Sequence, residues 1–185
     1  MRTFIAVDLD PEIKRSLSGL IGRLKKAGPE GTSWVREAAM HLTIRFLGEI
    51  DESRAADAGR AMDDAVLRGR RFPLQLRGTG TFPNARFPRV LWVGTAPSAE
   101  LEALSTRLED ALAALGFERE PRPFHPHLTL GRVRSAAKVR DAVTELDLQR
   151  NADFGTMTVA KIVLFQSVLG PAGAEHSVLK ESFLP

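Results

Sequence analysis

Apolar residues recur at helical spacing in four stretches of the chain and alternate with polar residues in most of the others. From Pro11 to Lys26 the apolar positions are Ile13, Leu17, Leu20, Ile21 and Leu24, one face of a helix. Asp10 is the expected cap of that helix, with Pro11 at its first position, and Gly28-Pro29-Glu30-Gly31 is expected to end it. Further helices are predicted over 52–67, over 99–115 with Leu101, Leu104, Leu108, Leu112 and Leu115 on one side, and near 136–146. Strands are predicted at 4–7, 33–35, 41–47, 72–76, 90–93, 127–133, near 157–168 and at 177–183. Residues 78–88, rich in Gly, Thr and Pro, read as a turn-rich loop. The connections are short, and nothing has the look of a linker, so residues 1–185 are expected to form one α+β domain with antiparallel sheets.

Two of the predicted strands open alike: His41-Leu42-Thr43-Ile44-Arg45-Phe46-Leu47-Gly48 and His127-Leu128-Thr129-Leu130-Gly131-Arg132. In a strand, residues two apart share a face, so each histidine stands beside its threonine while Leu42, Ile44, Leu128 and Leu130 turn to the core. The pairing suits in-line cleavage of a phosphodiester. That reaction needs a base on the attacking oxygen and an acid on the leaving oxygen, on opposite sides of phosphorus. Imidazole titrates near pH ~6.5, so one ring can be neutral while the other is protonated. The threonine hydroxyls, Thr43 and Thr129, can donate to the non-bridging oxygens as charge builds there. The spacing treats the two histidines alike and does not say which is the acid.

Composition narrows the alternatives. The chain has no cysteine and no tyrosine, and only four histidines, so thiol and phenol chemistry are excluded. Twenty of its 26 cations are arginine and its net charge is +3, which suits an anionic partner but equally a solvated basic surface. No apolar run is long enough to span a bilayer, and the first residues lack a cleavage signal. A cytoplasmic protein without membrane association is expected. No nucleotide-binding P-loop and no Lys-x-Asp-Gly motif occur.

The two motifs, with Arg2-x-Phe4-Ile5-Ala6, Pro88-Arg89-Val90-Leu91-Trp92-Val93-Gly94 and His125-Pro126 before the second motif, resemble the RNA 2′,3′-cyclic phosphodiesterases, also called 2′-5′ RNA ligases (LigT-like), of the two-histidine phosphoesterase superfamily. The resemblance runs essentially end to end. It implies a bilobal, pseudo-twofold fold, each lobe an antiparallel sheet backed by helices, with the active-site cleft between them. It implies hydrolysis of a terminal 2′,3′-cyclic phosphate of RNA to a 2′-phosphomonoester, with no metal and no other cofactor. The division of labour it implies makes His41 the proton donor and His127 the proton acceptor. Reversal would join RNA ends through 2′-5′ linkages without ATP. The expected partner is RNA with a cyclic phosphate end, with no obligate protein partner and a monomeric chain.

Arg132 follows the second motif where the family carries a phosphate-contacting cation, although strict alternation points it away from His127. Arg45 shares a face with His41 and Thr43 by the same alternation and is a candidate to line the cleft. Phe82, in the proline-punctuated stretch to Phe87, could stack a terminal base or cover core. His125 gives a His-x-His spacing, but no further ligands accompany it, so it is read as structural. His176 is read as an exposed residue in a turn after Gly170-Pro171-Ala172-Gly173. Two other functions fit the same residues: a cyclic phosphodiesterase for small nucleotides or 2′-5′ oligonucleotides, and a non-catalytic module that binds RNA ends.

Overall fold

The computed structural model describes residues 1–28, 30–170 and 173–185. Pro29, expected in the break after the first helix, and Pro171 and Ala172, expected in the turn before His176, lie outside the described residues. The elements, in order, are β1 (Arg2–Asp8), α1 (Pro11–Ala27), β2 (Thr32–Trp34), β3 (His41–Glu49), α2 (Glu52–Leu67), β4 (Phe72–Phe82), β5 (Val90–Thr95), α3 (Ala99–Ala114), β6 (His127–Val133), α4 (Arg140–Leu148), β7 (Asp153–Val159), β8 (Lys161–Gly170) and β9 (Gly173–Phe183). Short 3-10 turns precede β3 and α4. The fold class is α+β: one antiparallel sheet has the order β3-β1-β8-β9 and the other β2-β6-β5-β4-β7.

The helices form where their apolar stripes predict. Ile13, Leu17, Leu20, Ile21 and Leu24 of α1 are all buried, and Asp51 and Ser98 cap α2 and α3 by accepting backbone N–H bonds. α1 and α4 pack together on the five-stranded sheet, and α2 and α3 form a second layer with α2 against β8 and β9. One continuous apolar core runs from both helix layers into both sheets.

Two expectations about the strands need correction. Residues 78–82 are not loop. They continue β4, whose Gly80 faces Trp92 so closely that a Cβ there would collide with the indole; the glycine is what lets the ring lie flat across the strand. The single strand expected near 157–168 is two, β7 and β8, parted at Ala160, and they belong to different sheets. Each sheet draws strands from both halves of the chain. β2, from the first half, edges the five-stranded sheet, and β8 and β9, from the second half, complete the four-stranded one.

Both histidine strands are interrupted by a β-bulge just after the threonine. Against β1, Ala6 pairs with Thr43 but Ile5 with Arg45, so Ile44 is the extra residue. Against β5, Trp92 pairs with Thr129 but Leu91 with Gly131, so Leu130 is extra. Each bulge inverts the parity of the residues that follow it, in β3 as far as a second bulge at Leu47.

Candidate active site

The two sheets meet along β3 and β6. β2 pairs with β6 only at Gly131–Val133, which leaves the His127–Leu128–Thr129 stretch open toward β3. Both His-x-Thr pairs therefore stand at the junction, on the faces turned away from the main core, while Leu42 and Leu128 are buried in it.

The two histidines are held in the same way. His41 Nδ1 lies 2.8 Å from the Ala39 carbonyl, and His127 Nδ1 lies 2.7 Å from the His125 carbonyl. A carbonyl oxygen only accepts, so Nδ1 carries the hydrogen in each ring and Nε2 is left for chemistry. Aromatic rings brace both. Phe4 of β1 stacks on His41 at 4.5 Å between centroids, and Phe82 of β4 meets His127 edge-on at 4.9 Å. Phe82 thus lies beside the second histidine, and His125 packs edge-on against Phe82 and Trp92. Among the described residues, no group of three or more His, Cys, Asp or Glu side chains is gathered so as to hold a metal ion.

Burial pushes the His41 imidazole down to about 4, and the neighbouring His176 adds to the effect. Asp8, paired with His41 across β1 and β3, works in the opposite direction but is itself bound to Lys14 Nζ at 2.8 Å. His127 is lowered too, first by burial, with the charges of His125 and Arg132 contributing. His176 is lowered by burial and by Arg36. A histidine lowered on folding binds fewer protons in the folded chain than in the unfolded one. Its contribution to stability is therefore complete above the unfolded value near ~6.5 and is lost as pH falls through the folded value. For His41 the window runs from 6.5 to about 4, worth roughly 3 kcal/mol at ~1.4 kcal/mol per pH unit. Urea titrations should show stability declining across that range, with a shallower decline in His41→Gln; an equal slope in that variant would contradict the assignment.

The bulges redistribute the two arginines. Arg132 pairs with Val90, and Val90 and Trp92 flank the core-facing Leu91, so Arg132 stands on the His127 side of the sheet. Arg45 pairs with the core-facing Ile5 and turns away from the cleft, where it binds Glu109 of α3 and Glu120 and donates to the Glu118 carbonyl. The expectation that Arg45 lines the cleft is overturned by the extra residue Ile44. The position equivalent to Arg132 in the first motif is Phe46, which pairs with Phe4 and is 53% exposed. His176 is also misplaced by the sequence reading. It lies within β9, half-buried, with its ring edge-on to His41 at 5.2 Å and to Phe4 at 5.0 Å. Only its rarity as one of four histidines could have marked it.

Residues 11–170 match the family model of the 2′-5′ RNA ligase superfamily. The RNA 2′,3′-cyclic phosphodiesterase of Thermotoga maritima is 35% identical over 183 residues, covering 98% of this chain and 94% of that protein. Two solved structures are similar over nearly their whole length. TT0787 of Thermus thermophilus has a TM-score of 0.80 and 30% identity, over 100% of this chain and 98% of that one. Escherichia coli LigT in its apo form has a TM-score of 0.77 and 27% identity, over 99% and 96%. No helix of the described residues is long and apolar enough to cross a membrane. The protein belongs to the 2′-5′ RNA ligase superfamily.

Proposed function

We propose that the protein hydrolyses the 2′,3′-cyclic phosphate at RNA 3′ ends to a 2′-phosphomonoester, with His127 as general base and His41 as general acid. The observation that carries this reading is the matched anchoring of the two rings: each presents a free Nε2 at the junction of the sheets, beside a threonine. The similarity to proteins named RNA 2′,3′-cyclic phosphodiesterase supports the substrate class, and the division of roles follows the resemblance of the two motifs.

In the proposed reaction His127 Nε2 takes a proton from water as its oxygen attacks phosphorus. The bond from phosphorus to O3′ breaks, and His41 Nε2–H gives its proton to that oxygen. The hydroxyls of Thr43 and Thr129 and the guanidinium of Arg132 receive the charge that builds on the non-bridging oxygens. His127 suits its role directly, since a lowered imidazole is free to accept at neutral pH. His41 is neutral in the free protein and acquires its proton as the anionic phosphate arrives beside it, because an adjacent negative charge favours the protonated ring. With a ribose hydroxyl in place of water, the reverse reaction would form a 2′-5′ linkage without ATP.

The test is incubation with an RNA ending in a 2′,3′-cyclic phosphate, in EDTA, with identification of the monoester formed. A 2′-phosphate is expected. A 3′-phosphate would make O2′ the leaving group and overturn the role of His41, and an unchanged RNA would overturn the reading altogether.

A further inference from the structure

The hairpin of β8 and β9 closes on the pair Gly170 and Gly173, and β9 reaches the 3-10 turn that precedes β3. The register sets His176 opposite Ser167, well along the hairpin, yet its ring reaches Phe4, Phe165 and His41. Arg36, just before the 3-10 turn that leads into β3, holds the hairpin there: its Nη2 donates to the Ala174 carbonyl at 3.2 Å. Arg36 is exposed, and among the described residues its guanidinium has no carboxylate partner, unlike those of Arg45 and Arg54. The Nδ1 of His176 is shielded, so a ligand can meet this ring only at Nε2. Neither side chain has a part in the acid–base exchange between His41 and His127.

We propose that Arg36 and His176 form a subsite for the phosphate on the 5′ side of the terminal ribose. The assignment rests on the cyclic phosphodiesterase reading and extends it from the reacting phosphorus to the next one along the strand. In that reading His41 protonates O3′, so the terminal ribose lies on the His41 side of the cleft. The next phosphate is one ribose away from the reacting phosphorus, and a group that binds it must neighbour His41. The His176 ring touches His41, and Arg36 lies next to His176. Lys14, the other cation near His41, is bound to Asp8. A guanidinium fork and an imidazole N–H are donors suited to phosphate oxygens.

Three substrates separate the contributions: adenosine 2′,3′-cyclic phosphate, its 5′-phosphorylated form, and the dinucleotide ApA with a 2′,3′-cyclic phosphate end. In the wild-type protein the 5′-phosphate alone should raise kcat/KM about tenfold, the worth of charge-assisted hydrogen bonds. Most of that gain should carry over to the dinucleotide. Arg36→Ala, and His176→Phe, which keeps a ring against His41 but removes the N–H donor, should each abolish most of the gain. Arg36→Lys should retain part of it.

A gain that persists within twofold of wild type in both variants overturns the subsite. So does an equal fall on all three substrates, which would show that Arg36 and His176 act by holding His41 and not by holding phosphate. A wild-type protein that cleaves all three equally well refutes the subsite alone. One that cleaves none refutes the cyclic phosphodiesterase reading beneath it.

Discussion

Replacing His127 with alanine is expected to lower the rate of cyclic phosphate hydrolysis by on the order of 10²–10⁴, and His41→Ala by a similar factor. The two losses should differ in their pH dependence. His127→Ala removes the group that must be neutral to accept a proton, so the acid limb of the kcat/KM profile should flatten. His41→Ala removes the group that must be protonated, so the alkaline limb should flatten instead. A leaving group better than a ribose hydroxyl should restore much of the rate to His41→Ala and little to His127→Ala, because only the former lacks an acid. The double variant should be little worse than either single one, as acid and base act in the same transition state. The single-pH rate comparisons belong at neutrality, where all three lowered histidines are neutral in the free protein and stability is not in question. Turnover like that of wild type in either single variant would remove two-histidine catalysis from consideration.

The core was legible because it depends on short-range pattern. The apolar stripe of α1 lies buried residue for residue as its spacing predicts, and α2 spans the predicted Glu52–Leu67. His41 and His127 were legible because a repeated polar pair on an otherwise apolar strand is rare by chance. What escaped is set by partners distant in sequence. Gly78 to Phe82 has turn composition, yet Gly80 sits in a strand because the ring of Trp92 occupies its place. The division at Ala160 lies inside a stretch with strand character on both sides, and only the competing demands of two sheets break it. His176 acquires meaning from Phe4 and His41, at the other end of the chain.

The bulges after Thr43 and Thr129 are the most consequential of these hidden features, and they reverse the placement that strict alternation gives the two arginines Arg45 and Arg132. Arg132→Ala should leave the fold intact, since the side chain is exposed, and should cost on the order of 10²–10³ in kcat, as loss of one preorganised donor to a developing oxyanion does. Arg132→Lys should recover only part, because an ammonium lacks the planar fork. Arg45→Ala should do the reverse. It leaves Glu109 and Glu120, both largely shielded, without their cation, at a cost of about 2–3 kcal/mol, somewhat below that of breaking a fully buried pair. The urea midpoint should fall accordingly, while kcat of the molecules that remain folded should stay within a few-fold of wild type. The pair of variants is informative because strict alternation from His41 and His127 predicts the opposite pattern. It would send Arg45 into the cleft and Arg132 out of it. An activity loss in Arg45→Ala larger than that in Arg132→Ala, with both proteins folded, would mean that the bulges do not exchange the faces of the two strands.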